Sequence, residues 1–274
     1  MTASLDARPV LGAGFQPAPG ILVLTASKLR EFDECRRRYF LSRVLNLRDE
    51  SNPDASLDPT GELSRQPADR GGASAATVGS YVHEELNVRH NDPSLHHQKE
   101  AALPDRPPIP AVDKAVQRHL DLCPGQDGAQ YLGGEVDLRW FIPGKATLIN
   151  GRIDALWQHG DGTIEVRDYK TGSPLTDLSD DIGALIYAIL VAAHYPGARI
   201  RVTYEYLGNE PEAIVDRLVS LDVTRSHLHT ARQRIDTAIN RIRSEQAFAP
   251  SPSEHRCRWC PFQRNCDAAE RGPQ

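Results

Sequence analysis

The strongest constraint on the fold is an apolar helix that lies between strand-like segments. Residues 181–194 (DIGALIYAILVAAH) are apolar on nearly every side, which predicts a helix enclosed by other elements. A long amphipathic helix is predicted over 223–246. Segments rich in β-branched and aromatic residues predict strands at 135–142, 146–157, 163–169, 199–207 and 213–221. This order predicts an α/β fold in which helices flank a mixed β-sheet.

The first third of the chain is less regular. Residues 1–20 are rich in Ala, Gly and Pro and are predicted to be flexible, and the polar stretch 49–75 is predicted to be a mobile surface insertion. A short apolar run, 21–24, precedes a helix that Thr25 or Ser27 would cap. The helices predicted before the strand-rich part of the chain are 28–45, 77–90 and 112–122. We expect one domain over 21–274.

Composition indicates the setting in which the protein works but does not identify a binding partner. The chain has 274 residues and a formal net charge of −5, so its overall charge does not indicate that it binds nucleic acid. It contains no apolar run of about 18 residues and no signal-like N-terminus, which predicts a cytoplasmic protein without a membrane span. In that reducing setting, cysteines are more often metal ligands than disulfide partners.

Carboxylates and a lysine converge in the stretch 150–172. Asp154 ends one strand-like segment, and Asp168 and Lys170 end the next, with a hairpin turn at Asp161-Gly162 between the two segments. Residues two apart in a strand point to the same face, so Asp168 and Lys170 should project together beside Asp154. Such a set suits Mg²⁺ or Mn²⁺ and a positioned water. The alternative is a solvated ion pair at a strand end.

Other polar residues are weaker candidates for the same site. His83, in GSYVHEEL on a predicted helix, could supply a nitrogen ligand, although a lone histidine is more often structural. Glu135 is a further candidate ligand. Glu165 lies three residues from Asp168 and should face away from it in a strand. Tyr187, on the apolar helix, is most simply a core residue.

Four cysteines form a second constellation. Cys257, Cys260 and Cys266 give the spacing C-x2-C-x5-C, and Cys35 is the natural fourth ligand. Their ligation would join the N-terminal segment to a C-terminal segment at about 250–268. Zinc is the default for such spacing, and His255 is an outside candidate as a zinc ligand. Cys123 reads as an ordinary free thiol.

Taken together, the segments resemble the RecB-like branch of the PD-(D/E)XK nuclease superfamily. The resemblance covers about residues 24–267 and follows the family's order of motifs. The matching motifs are LTASKLREFDECRRRYFLSRVL, GSYVHEEL, GRIDALW, VRDYKTG and HRCRWCPFQRNC. The chain is similar to single-domain iron–sulfur exonucleases, including CRISPR-adaptation nucleases and the nuclease domain of AddB. It departs from the family at Gly183, where a Q-x-x-x-Y motif ending at Tyr187 would place glutamine.

The resemblance implies a restriction-endonuclease-like core and a catalytic set of His83, Asp154, Asp168 and Lys170. In that set the first three hold Mg²⁺ or Mn²⁺, Tyr187 contacts substrate, and the four cysteines carry a [4Fe–4S] cluster. The implied activity is a DNA exonuclease that acts on single-stranded or frayed ends in repair, recombination or foreign-DNA processing, with a possible helicase or repair partner. Two rivals are a non-catalytic DNA-binding subunit that works with a helicase, and a zinc-stabilised interaction module.

Positive charge is concentrated around the cysteines. Residues 28–48 contain seven Lys/Arg against three Asp/Glu, and residues 225–264 contain eight Arg against three acids. We expect the two segments to form one DNA-binding surface that includes Arg36 and Arg37, because phosphates supply most of the affinity for DNA. The alternative is that these residues are solvated helix faces. Four aromatic residues could stack on bases, although core packing would also explain most of them: Tyr39, Phe40, Trp259 and Phe262.

Overall fold

A six-stranded mixed sheet forms the centre of the protein. The structure is a computed structural model that describes residues 19–47, 75–92, 94–95, 103, 107–208, 217–258 and 260–269. Its strands are β1 (Leu22–Leu24), β2 (Gln130–Ile142), β3 (Thr147–Gln158), β4 (Ile164–Lys170), β5 (Ile200–Tyr206) and β6 (Leu218–Asp222). The predicted mixed sheet is confirmed.

The long strand β3 organises the sheet. One of its edges pairs antiparallel with β2 along almost its whole length. The other edge is shared, because β1 pairs parallel with Thr147–Ile149 and β4 pairs antiparallel with Ala155–Gln158. The sheet continues through β5, parallel to β4, and β6, antiparallel to β5. The hairpin predicted between residues 146–157 and 163–169 is therefore present, formed by β3 and β4.

Helices of the first and last thirds cover one face of the sheet. They are α1 (Ala26–Glu34), α2 (Arg36–Tyr39), α5 (Ile182–His194) and α6 (Arg225–Ser244). Helix α5 is buried as its apolar sequence predicts, and it packs on strand residues such as Ile153, Val166 and Val202. Asp181 caps α5, because its Oδ1 accepts a hydrogen bond from the Ala184 amide at 2.9 Å.

The opposite face carries a smaller core under α3 (Ala75–Asn91) and α4 (Pro110–Leu120). Val82 and Leu86 of α3 pack there against Trp157 and Tyr169. Successive residues of a strand point to opposite faces, so Asp168 and Lys170 face α5 while Tyr169 faces α3 and α4. Both ends of the D-Y-K motif are thus placed on the α5 side.

The predicted helix over 28–45 is wrong as one continuous element. The chain leaves the helix at Cys35, which has φ −158° and ψ 106°, and then resumes as α2 and one π-helical turn at Phe40–Val44. Thr25 caps α1, since its hydroxyl accepts a hydrogen bond from the Lys28 amide at 3.2 Å. The backbone is extended at Cys35, which lines a cavity together with the C-terminal segment. The hydrophobic periodicity of the sequence gives no sign of this break.

Several expectations lie wholly or largely outside the described residues. The predicted insertion at 49–75 is described only at its last residue, where α3 begins, and the predicted flexible segment 1–20 only at its last two residues. The expectation of one domain over 21–274 stays a prediction. The short run 21–24 contributes β1. Among the residues that the structure describes, no helix has the length and apolar character required to cross a membrane.

Candidate active site and metal-binding clusters

His83 projects from α3 towards the end of the β3–β4 hairpin. Its Nε2 lies 3.0 Å from the carbonyl oxygen of Tyr169, so in the neutral ring Nε2 carries the proton and donates to that carbonyl. Nδ1 faces the carboxylates of Asp154 and Glu135 at 3.3 and 3.7 Å, so it carries a proton in the absence of a metal ion and offers its lone pair when a cation replaces that proton. The ring is therefore held in the tautomer that a metal ion needs.

Asp154 is fixed by the main chain of the neighbouring strand. Its Oδ2 accepts a hydrogen bond from the Tyr169 amide at 2.7 Å, while Oδ1 faces His83. One residue of β4 thus positions two candidate ligands, because the N–H of Tyr169 binds Asp154 and its C=O binds His83. Next to Asp154, a Cβ on Gly134 would lie 3.0 Å from the Asp154 carbonyl oxygen, which explains the need for glycine at that point of β2.

Glu135 completes a compact group of possible metal ligands. Ligand atoms of His83, Glu135 and Asp154 all lie within 4.8 Å of one another. Glu135 has φ +52°, a left-handed conformation that costs a non-glycine residue free energy and that is concentrated at functional sites. Its carboxylate also forms an ion pair with Arg152. The backbone at Glu135 is therefore bent to bring a third donor to the group.

Asp168 and Lys170 lie together on the α5 side of β4, as the strand period predicts. Lys170 Nζ forms an ion pair with Asp168 Oδ2 and lies 4.7 Å from the centre of the Tyr204 ring. Asp168 Oδ1 accepts a hydrogen bond from the hydroxyl of Tyr187 at 2.8 Å. Tyr187, which composition suggested was only a core residue, therefore orients a member of the site.

The surroundings of the site shift the pKa values of two carboxylates, Asp154 and Asp168, in opposite directions. Burial raises the pKa of Asp168, and the neighbouring negative charge of Asp154 raises it further. Burial also opposes ionisation of Asp154, but the positive charges of His83 and Lys170 outweigh it and lower the pKa of Asp154. Paired groups with divergent pKa values are typical of functional sites.

The structure brings together the four residues expected to act in catalysis, with one difference in grouping. His83 and Asp154 belong to the compact ligand group, and Asp168 lies beside it on β4 in contact with Lys170. Glu135, a weaker candidate from sequence, joins the group in place of Asp168. Glu165 faces the other side of the sheet, where it pairs with Arg167 at 3.0 Å. The only sequence signal for Glu135 was its place in a strand beside the one that carries Asp154.

Gly183 is the position at which the resemblance to RecB-like nucleases predicts glutamine, and the space beside it is filled by other side chains. A Cβ at this position would approach Arg30 Nη2 and Tyr204 Oη to 2.6 Å each, and Asp181 Oδ1 to 2.9 Å. These three groups bind one another, since Asp181 Oδ1 accepts hydrogen bonds from Arg30 at 3.1 Å and from Tyr204 at 2.6 Å. A cation, Arg30, thus occupies the space beside Gly183.

We expect Gly183→Gln to destabilise the protein by about 1–3 kcal/mol, the usual cost of overpacking a filled core position. The new side chain would separate Arg30 and the Tyr204 hydroxyl from Asp181, and Tyr204 is 2% exposed, so the core around its ring would have to repack. The midpoint of urea unfolding, measured by circular dichroism, gives the change. Gly144→Gln is the matched control, because a Cβ there meets nothing within 4 Å. Equal midpoints for both variants would contradict the prediction.

The four cysteines of the second constellation line one cavity. Cys35, at the break between α1 and α2, faces Cys257, Cys260 and Cys266 across it. The C-terminal segment includes a short helix, α7 (Glu254–Arg258), and is attached to the N-terminal part by Arg256, whose Nη1 donates to the carbonyl of Glu34 at 3.2 Å. Burial raises the pKa of the Cys260 thiol, and the nearby thiols Cys35 and Cys266 raise it further. All five cysteines are free of disulfides.

Acidic residues pair with much of the positive charge near these cysteines. Arg36 Nη1 lies 2.6 Å from a carboxylate oxygen of Glu245, and Arg37 Nη2 lies 3.9 Å from that of Asp267. Tyr39 and Phe262 are buried, and Phe40 packs on Phe248 with ring centres 4.8 Å apart. Trp259 lies outside the described residues, and so does the side chain of His255. A DNA-binding role for Arg36 and Arg37 stays a prediction, with part of their charge already paired.

Comparisons with known proteins agree with this geometry at the level of a superfamily. The sequence model described as the PD-(D/E)XK nuclease superfamily matches residues 23–267. No curated protein matches the chain. A solved structure described as "Crystal structure of SSO0001" is similar over 90% of this chain and 86% of its own, at 16% identity and a TM-score of 0.44.

Proposed function

Because the chain belongs to the PD-(D/E)XK nuclease superfamily, we propose that it is a divalent-metal-dependent nuclease that hydrolyses phosphodiester bonds in DNA. The observation that carries the proposal is one arrangement of side chains. Three possible metal ligands on α3, β2 and β3 lie within 4.8 Å of one another, and the Asp168–Lys170 ion pair adjoins them on β4. These are the groups that hydrolysis of a phosphodiester requires.

The residues that would hold Mg²⁺ or Mn²⁺ are His83, Glu135 and Asp154, with Asp168 beside them. Oxygen-rich ligand sets suit these hard cations, and one imidazole is compatible with Mn²⁺. Asp168 accepts from Tyr187 and contacts Lys170, yet two carboxylate oxygens offer about four lone-pair directions, so it retains capacity for a cation. When bound, the cation supplies Lewis-acid stabilisation of the negative charge that develops on the phosphoryl oxygens.

Lys170 is the proposed positioning and charge-stabilising group for the reaction. Its ammonium donates hydrogen bonds either to the attacking water or to a phosphate oxygen, and Asp168 holds it in place. Burial opposes the charge on Lys170, but Asp168 and Asp154 outweigh it and raise its pKa, so the side chain is a cation at neutral pH. Tyr187 fixes Asp168 in turn through its 2.8 Å hydrogen bond.

We infer that Arg30 serves the substrate region in place of the absent glutamine. Its guanidinium is 41% exposed, is oriented by Asp181 at 2.9 Å, and lies close enough to Lys170 to influence that residue's pKa. A guanidinium with fixed geometry binds phosphate well. Arg30 supports contact with phosphate under either reading, whereas the retained ligand group and the Asp168–Lys170 pair favour an active enzyme over a non-catalytic DNA-binding subunit.

The finer proposal is an exonuclease of the RecB-like, iron–sulfur branch that acts on single-stranded or frayed ends in repair, recombination or foreign-DNA processing. A helicase or repair partner would supply such ends. For the cluster, the support is the cavity that Cys35, Cys257, Cys260 and Cys266 line. Four thiolates on one zinc ion would lie about 3.8 Å apart, since Zn–S bonds are about 2.3 Å. Among the described residues, the groups whose ligand atoms all lie within 4.8 Å of one another do not include these four cysteines, so one zinc ion would have to draw the four thiols closer together.

The test is cleavage of linear and circular DNA by the full chain purified without air. We expect linear single-stranded DNA to be degraded with Mg²⁺ or Mn²⁺ and to stay intact with EDTA, because the site is built from cation ligands. Circular single-stranded DNA of the same sequence should resist. Equal cleavage of the circle would overturn the exonuclease mode and leave the nuclease intact. DNA binding without cleavage under all metals would favour the non-catalytic subunit.

A further inference from the structure

A second group of metal-ligating side chains lies buried on the opposite face of the sheet. His90 on α3, His119 on α4 and Cys123 just after α4 are 5%, 0% and 2% exposed, and their ligand atoms lie within 4.8 Å of one another. We propose that these three side chains bind a zinc ion that serves a structural purpose. The site is distinct from both the candidate catalytic group and the four-cysteine cavity.

The distances between the ligand atoms fit one tetrahedral ion. The two Nε2 atoms of His90 and His119 face each other at 3.0 Å, and Cys123 Sγ lies 3.8 Å from His90 Nε2. Zn–N bonds of about 2.0–2.1 Å and Zn–S bonds of about 2.3 Å give ligand separations of about 3.3–3.8 Å in a tetrahedron. The first separation lies just below this range and the second at its upper end, and the third pair of ligand atoms lies within 4.8 Å.

Glu205 fixes which nitrogen of His119 faces the cluster. Its carboxylate, which is wholly buried, lies 2.9 Å from His119 Nδ1, so that nitrogen carries a proton and donates to Glu205. The lone pair of the neutral ring is then on Nε2, which points towards His90 and Cys123. A carboxylate that orients a histidine in this way is the usual support for a protein zinc ligand.

A bound dication would also balance the buried charges beside the three ligands. Arg167 is held between two buried carboxylates, Glu165 at 3.0 Å and Glu205 at 2.7 Å, which leaves one net negative charge that either a proton on His119 or a bound cation compensates. A zinc ion with the thiolate of Cys123 adds one net positive charge. Buried charges are costly unless they are compensated. Nearby, the hydroxyl of Tyr169 is buried without a hydrogen-bond partner in the described part of the chain, and its ring centre lies 5.1 Å from that of His119.

The position of the site indicates what the ion does. His90 and His83 lie seven residues apart on α3, two turns along one face of the helix. An ion bound to His90, His119 and Cys123 fastens α3 to α4, and through Glu205 to β5. The same fastening holds His83 in position against Tyr169 and Asp154. Zinc at this site therefore stabilises the platform on which the catalytic group is built.

The experiment measures zinc in the full chain after dialysis against EDTA, which removes loosely held cations, and compares two cysteine variants. We expect Cys123→Ala to lose about one zinc per chain and to keep the metal of the four-cysteine cavity, and Cys260→Ser to show the reverse. His194→Gln is the matched histidine control, since that ring bonds to the Leu190 carbonyl away from the cluster. Unchanged zinc in Cys123→Ala would overturn the proposal.

A second measurement does not depend on the folding of a variant at the site. Zinc-edge X-ray absorption of EDTA-treated Cys260→Ser protein should show imidazole nitrogens at about 2.0–2.1 Å and a sulfur at about 2.3 Å. Zinc-free protein, or a spectrum with sulfur ligands alone, would refute the site. If Cys260→Ser does not fold, the spectrum of EDTA-treated wild-type protein decides the same question, because imidazole nitrogens around zinc are expected only from the His90–His119–Cys123 site.

Discussion

Replacement of Lys170 by alanine is expected to reduce the rate of DNA cleavage by roughly 10²–10³-fold, the range found when one preorganised donor to a developing oxyanion is removed. That loss corresponds to about 2.7–4 kcal/mol of transition-state stabilisation. Lys170 is the cation that Asp168 holds beside the ligand group, and alanine leaves no other donor at that point of β4. The measurement is single-turnover cleavage of end-labelled single-stranded DNA at saturating Mg²⁺.

The loss should appear in the rate and much less in the affinity for DNA. Most of the affinity comes from phosphate contacts spread over the surface, so removal of one cation in the site changes the Kd modestly. Lys114→Ala is the matched control, because Lys114 is an exposed lysine on α4, away from the site. A Lys170→Ala protein that cleaves at the wild-type rate would remove Lys170 from the mechanism, whatever the metal dependence of the activity.

Replacement of Arg167 by alanine is expected to cost about 3–5 kcal/mol of the free energy of unfolding. The guanidinium lies between the carboxylates of Glu165 and Glu205, which are 3% and 0% exposed, and also donates to the Leu122 carbonyl at 2.8 Å. Removal of one partner from a buried ion pair leaves the other charge uncompensated in a low-dielectric region. Urea unfolding followed by circular dichroism measures the loss.

The cost of Arg167→Ala should also depend on pH. Burial opposes ionisation of Glu165, but Arg167 outweighs it and holds the pKa of that carboxyl below its ordinary value. In the wild type this stabilisation is present above the ordinary pKa and is lost as the pH falls through the lowered one. The gap between wild type and variant should therefore be wider at pH 8 than at about pH 3, which lies below the ordinary pKa of 4.5.

An exposed ion pair on the same sheet is the control for this effect. Arg201 pairs with Asp222 at 2.7 Å, but the two side chains are 40% and 76% exposed. Solvent screens such pairs, so Arg201→Ala should change stability by no more than about 1 kcal/mol. A loss at Arg167 no larger than that at Arg201 would contradict the assigned role of the buried network.

Local periodicity accounts for what the sequence predicts well. The shared face of Asp168 and Lys170 follows from the two-residue period of a strand, and the hairpin with Asp154 follows from the Asp161-Gly162 turn. Burial of α5 follows from its uniform apolar composition. Each of these features is decided by residues close together in the chain.

Features that depend on distant parts of the chain were predicted only weakly, as for Glu135, or not at all. Glu135 reaches the ligand group because of the register in which β2 pairs with β3 and because its own φ is positive. No local sequence pattern predicts either feature. The break at Cys35 serves contacts with a segment more than 200 residues away. Cys123 read as an ordinary thiol because His90 and His119 approach it only after α3 and α4 pack together.

The main chain of Tyr169 holds two candidate ligands, and this limits which changes at residue 169 would disturb the site. Asp154 and His83 are both held by the N–H and C=O of residue 169, at 2.7 and 3.0 Å. Main-chain groups are the same for almost every amino acid, so the middle position of the D-Y-K motif can change its side chain without releasing either ligand. That position is free to adapt to the core behind the sheet, whereas a shift of strand register, which alters no side chain, would dismantle the site.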